Sequence, residues 1–600
     1  MTQDNSPIIG IDLGTTNSVV AAYLDGQVRV LEENGTSLLP SVVGVAADGK
    51  LVIGQPAKNQ LAAFPDRTIS SVKRRMGEDV KLKMADESHS PQEISAIILR
   101  KLRDRAEAAL GCPVTRAVIT VPAFFDEHQR QATREAGEMA GFTVERIINE
   151  PTAASLVYCA NETQRRHLIV YDLGGGTFDV SIVRMEQGVV EVLSSKGDTR
   201  LGGDDFDQLL ARYVADAFQS DHDIDLMADA RTRWRLLHAC ERAKCELSTN
   251  GTAHIIEEFI AEKDGKPVSL DLEISRLEYE ELIAPLVDRT IACVDQALRD
   301  ANMSMNSIDD LLLVGGSTRT PLVQQRLRTE FQREPRWAVN PDLAVALGAA
   351  TQAAMQSGAS VGPILVDVAT HTLGIEALSG MPYAPKLRFV PIIHRNSPLP
   401  ACYEEVFGTV TEDQERAQIH VYQGESESLE HDRSIGKFEL KGLNQSAGRD
   451  GRIIVRFELT LDGTLSVTAR EPRSGIAESI AIENAASRLD GEARASANQR
   501  LQSLFESSDE ISLQREFAST EYNAEDDDES AIPAPHFGGS SKLESLLARA
   551  RGACADAAPD DAADIQQLIQ SIQQAKEQED LDLLPALEEE LEDLLFYVIG

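Results

Sequence analysis

Along the first 355 positions, short aliphatic and β-branched runs alternate with longer stretches in which apolar residues recur every three or four positions. The runs Ile8–Ile11, Ala117–Val121, Leu168–Tyr171 and Leu311–Val314 predict buried strands, and Pro91–Leu110, Glu127–Ala140 and Arg231–Leu247 predict amphipathic helices. This alternation predicts an α/β architecture. A turn-rich break at Gly358–Pro363 ends it, and a short apolar segment, Ile364–Asp367, follows. From Val368 to Ile482 the period shortens to two. Gln418–Tyr422, Arg452–Phe457 and Thr464–Thr468 alternate polar with apolar positions, with turns such as Leu461–Thr464 between them, which predicts an antiparallel β module. After Ser487 the pattern turns helical, as over Leu489–Phe505. It is interrupted by the acidic run Glu525–Glu529 and the Pro- and Gly-containing stretch to Gly539, then resumes over Lys542–Gly552 and Ile565–Val598.

With 600 residues the chain exceeds what one hydrophobic core spans, so several domains are expected. The net charge is −39, and residues 481–600 carry 27 acidic against 8 basic side chains. That balance argues against nonspecific nucleic-acid binding, which needs a basic face; the acidic end is expected to be a solvated tail. No apolar run approaches the ~20 residues of a membrane span, and Met1–Ile9 lacks the basic and apolar regions of a signal peptide. A cytoplasmic protein without nucleic-acid or membrane partners is expected. Cys112, Cys159, Cys240, Cys245, Cys293, Cys402 and Cys554 form no CxxC pair, so small buried hydrophobes are expected rather than disulfides or a zinc site.

An internal pair carries the chemistry. Ile8–Thr16 and Ile169–Thr177 are each a strand run ending in Asp-Leu-Gly and then threonine. Glycines allow sharp turns whose N–H groups point at phosphates. The aspartate at the strand end can hold a metal ion through water, and the threonine hydroxyl can reach phosphate or an attacking water. Two copies imply two like-folded lobes closing on one triphosphate. A third signal, Leu311–Arg319, runs a strand into Gly315-Gly316, where close backbone approach admits a nucleoside. No GxxxxGK[ST] or GxGxxG motif occurs, which sets P-loop and dinucleotide folds aside.

These stretches resemble the DnaK-like heat-shock 70 kDa chaperones, whose ATPase lobes share the actin and sugar-kinase fold. The matches are IIGIDLGTTNSVV (8–20), VKRRMG (72–77), AVITVPAFFDEHQRQAT (117–133), RIINEPTAA (146–154), YDLGGGTFDVS (171–181), GDTRLGGDDFD (197–207), ERAKCELS (241–248), LLLVGGSTRTP (311–321), NPDLAVALGAA (340–350), TLGIE (372–376) and IHVYQGE (419–425). They run from about Pro7 to Ile482. The resemblance implies a multidomain fold: an actin-like two-lobed α/β ATPase domain at 1–358, an interdomain linker at 359–367, a β-sandwich that binds peptides at 368–486, and a helical lid-like region at 487–600 with an acidic linker at 521–541. It implies ATP or ADP, Mg²⁺ and K⁺ as cofactors, and unfolded or extended polypeptides and a J-domain cochaperone as partners.

Carried over residue by residue, the resemblance makes Asp12, Glu150, Asp172 and Asp179 the acidic set around Mg²⁺ and the attacking water. The metal itself is assigned to Asp12, Asp172 and Asp179. Lys73 becomes the catalytic lysine, and Thr177 joins the catalytic group. The nucleotide is assigned to Gly14, Thr15, Thr16, Gly174, Gly175, Gly176, Gly202 and Gly203, with Glu241, Lys244, Ser248, Gly315, Gly316, Ser317, Arg319 and Asp342 at the adenosine end. The peptide cleft takes Ile375, Leu378, Phe407, Val410, Ala417 and Ile419. Interdomain contact takes Pro122, Arg130, Arg146, Asn149, Leu365 and Asp367, with the apolar linker adding to a sheet edge.

The chain departs from the family pattern at several points. Met76–Pro91 is short, which trims one lobe edge and bears on a GrpE-type exchange factor. Phe124 replaces a tyrosine, Cys245 stands at an adenine-stacking position, Ala417 is smaller than usual, and the helical region is interrupted. These departures suggest a specialised bacterial paralogue. An actin-like filament or sugar kinase would not carry the linker and β module, and a weakly hydrolysing holdase would not need the full set Lys73, Glu150, Asp172 and Thr177; a dedicated-client adaptor of the same family is the alternative that pull-down of a single client would favour.

Overall fold

The computed structural model describes residues 6–159, 164–337, 339–359, 361–379, 386–409, 414–426, 429–443, 452–461, 463–481, 495–505 and 569. Met1–Arg515 form one compact unit and Glu516–Gly600 a second, of which Ile569 alone is described.

Two sheets organise the first part of the chain. One has the order Thr143–Asn149, Arg116–Val121, Ile8–Asp12, Asn17–Leu24, Gln27–Val30. The other has the order Pro335–Arg336, Asp310–Val314, Arg166–Leu173, Phe178–Glu186, Val189–Asp198, Ile364–Val366. Ile8–Asp12 runs parallel to Arg116–Val121 and antiparallel to Asn17–Leu24. Arg166–Leu173 runs parallel to Asp310–Val314 and antiparallel to Phe178–Glu186. Both lobes therefore repeat one plan, a central strand that ends at Asp12 or Asp172 and folds back as a hairpin. Strands covered on both faces read as unbroken apolar runs, and every residue of Asp310–Val314 is buried. A shared core containing Val118, Ile148, Leu156, Val170, Leu312 and Ala349 joins the two lobes, with helices Glu150–Cys159 and Ala344–Gln356 contributing to it.

Side-chain caps start the helices where the pattern places them. Ser90 and Glu93 form a capping box for Pro91–Leu110, and Asp126 and Gln129 form one for Glu127–Met139. The helix expected from Arg231 begins one residue earlier, at Ala230, because Asp229 accepts from the Thr232 N–H. Pro91–Leu110 buries Ile94, Ile97, Ile98, Leu99 and Leu102 in the first lobe, each contributing about 1.5–3 kcal/mol.

Ile364–Val366 forms the edge strand of the second lobe, pairing in parallel with Val189–Glu191. The β module follows as two four-stranded antiparallel sheets. One orders Lys386–Ile393, Leu373–Ser379, Arg416–Gln423 and Arg433–Lys441; the other orders Ala401–Gly408, Arg452–Leu459, Leu465–Arg470 and Ala477–Ala481. Both sheets feed one core, including Val421, Leu440, Val455, Phe457 and Val467, so the module is a sandwich. Residues 495–505 are helical, and Leu501, Leu504 and Phe505 pack into the first lobe's core. The expected helix Leu489–Phe505 is described only from 495, and the acidic linker and later helices lie outside the described residues.

The cysteine expectation is corrected. Cys240 is buried, but Cys112, Cys245 and Cys402 are exposed and Cys293 is half-buried. Cys112 follows a helix end, and Cys402 sits in the solvent-facing run of the edge strand Ala401–Gly408, so their apolar character does not place them in a core. The Cys159 side chain and Cys554 lie outside the described residues.

Candidate active site

The two Asp-Leu-Gly hairpins border a cleft of about 1160 Å³. Of the residues expected at a nucleotide, Asp12, Gly14, Thr15, Thr16, Lys73, Glu150, Asp172, Gly174, Gly175, Thr177, Glu241, Lys244, Ser248, Gly315, Gly316, Ser317, Arg319 and Asp342 line it. Gly176, Gly202, Gly203 and Asp179 are not among its lining. Gly203 N–H donates to Gly174 O at 3.0 Å and Asp204 N–H to Gly175 O at 2.7 Å, bracing the second phosphate loop. Gly315 adopts φ +83°, and a Cβ there would stand 2.4 Å from Leu173 O, so only glycine fits where the third motif meets the second hairpin.

The charge around Lys73, at the inner end of the cleft, is unbalanced. Lys73, on the turn Val72–Arg75, is 4% exposed and ion-paired with Glu150, the first residue of its helix. Asp12 accepts from Thr120 Oγ1 at 3.1 Å, and Asp179 accepts from the Phe124 N–H at 3.0 Å. Burial first, then the Glu150 carboxylate, pushes Asp12 up to about 7, with Lys73 opposing. The same two causes raise Asp172 and Asp179 well above the usual carboxylate range. Asp172 Oδ2 is buried without a hydrogen-bond partner. Four carboxylates around one ammonium, one of them with an orphaned oxygen, suit a cation. Among the described residues no three His, Cys, Asp or Glu converge to ligate a metal directly, so Asp12, Asp172 and Asp179 suit a hydrated ion.

At the adenosine end Lys244 donates to Asp207 Oδ2 at 2.7 Å, Ser248 Oγ to Lys244 O at 3.2 Å, and Arg319 to Asp342 at 2.9 Å. Cys245 is exposed toward the cleft it lines, and partial desolvation by the cleft walls raises its thiol, which keeps it protonated and a weak nucleophile. Sequence reasoning missed the ties across the cleft. Ser71 Oγ donates to Asp204 at 2.9 Å, Arg74 to Asp205 at 2.5 Å, and Lys58 to Glu241 at 2.9 Å. Their signal was the second basic residue of VKRR and the paired acids of GGDDFD.

The expected interdomain residues converge on one seam. Asp367, buried at the end of the edge strand, accepts from Asn149 Nδ2 at 3.0 Å, and Asn149 Oδ1 accepts from Arg130 at 2.5 Å. Arg130 also donates to Ala123 O at 3.1 Å, in the turn that Pro122 opens. Burial raises Asp367, with Arg130 and Arg146 opposing, and Leu365 is buried in the interlobe core. The β module meets the lobes through contacts the sequence did not reveal. Arg433 pairs with Asp126, the Glu127 N–H donates to Gln423 Oε1 at 3.1 Å, and Arg395 donates to Asp300 at 3.0 Å. Arg500, in the helical residues 495–505, donates to Glu93 at 2.5 Å, and Arg100 lies 3.9 Å over the Phe505 ring.

Of the expected peptide-cleft residues, Ile375, Ala417 and Ile419 are buried in the sandwich core, Phe407 is partly buried against it, and Leu378 is 45% exposed. Val410 lies outside the described residues.

The chain matches the Hsp70 protein family over residues 8–84 and 78–598. It is 44% identical over 490 residues to Chaperone protein DnaK of Thermotoga petrophila, covering 80% of this chain and 81% of that protein. The same figures hold for the proteins of that name from Thermotoga maritima and Thermotoga neapolitana. Among the described residues, no helix is long and apolar enough to cross a membrane.

Proposed function

The chain belongs to the Hsp70 family and is an ATP-dependent chaperone that hydrolyses ATP, and on that premise we propose that the buried constellation around Lys73 performs the hydrolysis and that the seam at Asp367 carries its state to the β module. The observation that carries this reading is the Lys73–Glu150 pair, enclosed by Asp12 and Asp172 at the tips of two equivalent hairpins.

Phosphoryl transfer to water needs positioning and charge compensation more than covalent chemistry. The triphosphate lies against Gly14–Thr16 and Gly174–Thr177, with the nucleoside toward Glu241, Lys244, Ser248, Gly315–Ser317, Arg319 and Asp342. Asp12, Asp172 and Asp179 would hold Mg²⁺ through water, and the ion would supply neutralisation of the phosphate charge. Lys73, kept buried by Glu150, faces the charge that develops on the transferring group. Glu150, Asp172 and Thr177 orient the attacking water.

Residues 1–358 serve as the ATPase domain, 359–367 as the linker, 368–486 as the peptide-binding domain and 487–600 as a helical lid-like region interrupted by the acidic linker at 521–541. The β module holds extended apolar segments of unfolded proteins at Ile375, Leu378, Phe407, Val410, Ala417 and Ile419. Exposed Leu378, paired across the strands with exposed Leu387, supports this reading. The nonstandard pair Leu378 and Val410, with a smaller residue at Ala417, gives a wider central pocket that admits aromatic side chains; peptide arrays that rank Leu above Phe would oppose that. A J-domain cochaperone acts at the positions Arg130, Arg146, Asn149 and Asp367, and the protein works in the cytoplasm.

Single-turnover hydrolysis tests the site. Lys73→Ala and Thr177→Ala should each lose about 10²–10³-fold in rate while still binding ATP. Wild-type turnover in either variant would overturn the assignment.

A further inference from the structure

Three parts of the molecule meet at Phe124. Its backbone N–H donates to Asp179 Oδ1 at 3.0 Å. Its ring faces His371 of the β module, with centres 4.8 Å apart and planes tilted by 45°. Lys196 of the second lobe places its ammonium 4.9 Å from the same ring centre. There is little slack behind this contact. Gly197 is the strand partner of Asp179, and a Cβ at Gly197 would lie 2.5 Å from Asp179 Oδ1 and 3.0 Å from Phe124 Cβ. A shift of Phe124 therefore moves the amide that Asp179 accepts from. Arg130 already holds this turn through Ala123 O and Phe125 O and answers to the linker through Asn149. His371 touches the same turn from the β module itself.

We propose that His371 is a positioning residue for ATP hydrolysis: seated on Phe124, it lets the docked β module hold Asp179 in the slow-turnover arrangement, and its release frees that carboxylate. The inference rests on the reading of Asp179 as part of the acidic set, and it adds a handle separate from the linker.

The charges around His371 give the handle a pH response. Asp126 and Arg130 face it from the first lobe, Lys196 from the second, and Arg395 from the β module. Burial first, then Arg130, Lys196 and Arg395 against the single carboxylate of Asp126, pushes the half-buried imidazole down to about 4. Undocked, it titrates near its ordinary 6.5. Its contribution to docking is complete above pH 6.5 and falls as the pH drops toward 4, by about tenfold in the docking constant at pH 5.5.

The test uses the full chain with Mg·ATP, with and without an apolar peptide, and follows single-turnover rate together with amide hydrogen exchange of Ile364–Val366. His371→Ala should raise the peptide-free rate about two- to tenfold, the range of one aromatic contact, and shrink peptide stimulation by the same factor. Phe124→Ala should do likewise, and the double variant should go no further than either single one. His371→Leu, which keeps an apolar contact but cannot be charged, should remove most of the acid-promoted exposure of the linker strand between pH 7.5 and 5.5. Wild-type rates and stimulation in His371→Ala, additive effects of the two alanine variants, or undiminished acid response in His371→Leu would overturn the proposal. If the wild type itself shows no peptide stimulation, the coupling reading falls and the inference falls with it. If the wild type is stimulated and the His371 variants match it, only the inference falls.

Discussion

At the inner end of the nucleotide cleft, Asp12 and Asp172, with Asp179 outside the lining, surround a lysine that Glu150 already occupies. In the docking seam each acid meets its own partner: Asp126 with Arg433, Asp300 with Arg395, Glu93 with Arg500, and Asp367 with Arg130 through Asn149. The cluster around Lys73 gathers more carboxylates than its one ammonium offsets, and on the proposed reading a cation arriving with the nucleotide completes it. The seam closes its charge within the chain and so can part, since most of these pairs regain water when they separate. A binding site and a switch both use ionic groups, and what separates them is whether the count balances.

Variants that break this contrast should differ in size. Removing the ammonium that the buried carboxylates surround, Lys73→Ala, leaves them without compensation and should cost about 10²–10³-fold in single-turnover rate, with the linker strand as protected from exchange as in wild type. Asn149→Ala takes a hydrogen bond from the buried Asp367 and one from Arg130. Leaving such groups unsatisfied costs about 1–3 kcal/mol, so exchange at Ile364–Val366 should speed up about tenfold or more while ATP still binds. Arg433→Ala removes a pair whose arginine is partly exposed; docking should weaken by no more than about fivefold, and by less at high salt. The smallest signal is a proton count. Burial and the Glu150 carboxylate raise Asp12 to about 7, so filling the cleft with Mg·ADP at neutral pH should release protons from it. The release should shrink as the pH rises, and Asp12→Asn should lower it. Calorimetric enthalpies compared across buffers measure the difference.

The same contrast explains what the sequence reveals. Helix Pro91–Leu110 is legible to the residue because its cap, Ser90 with Glu93, is local. The cleft is legible because each phosphate loop is a contiguous strand–Asp–Gly–Thr run, and two copies of one run carry a symmetry no single turn would. The seam is not legible. Arg433 and Asp126 are ordinary surface types until two modules dock, and nothing local at Glu93 announces Arg500, 407 positions away. Nor do apolar residues of a β module say whether they face a peptide or a core: Ile375, Ala417 and Ile419 read the same either way, and the fold buries them. Phe124 lay within a recognised motif, yet its partner His371 became visible only when the β module was in place.

Whether the seam carries information between the modules can be read directly. The direct measurement is Mg·ATP hydrolysis in a single turnover by the full chain, with and without saturating apolar peptide, alongside hydrogen exchange of Ile364–Val366 in the same samples. The account predicts slow hydrolysis with a protected linker strand before peptide, and faster hydrolysis with an exposed strand after it. Acceleration with the strand still protected, or exposure with no change in rate, would contradict it.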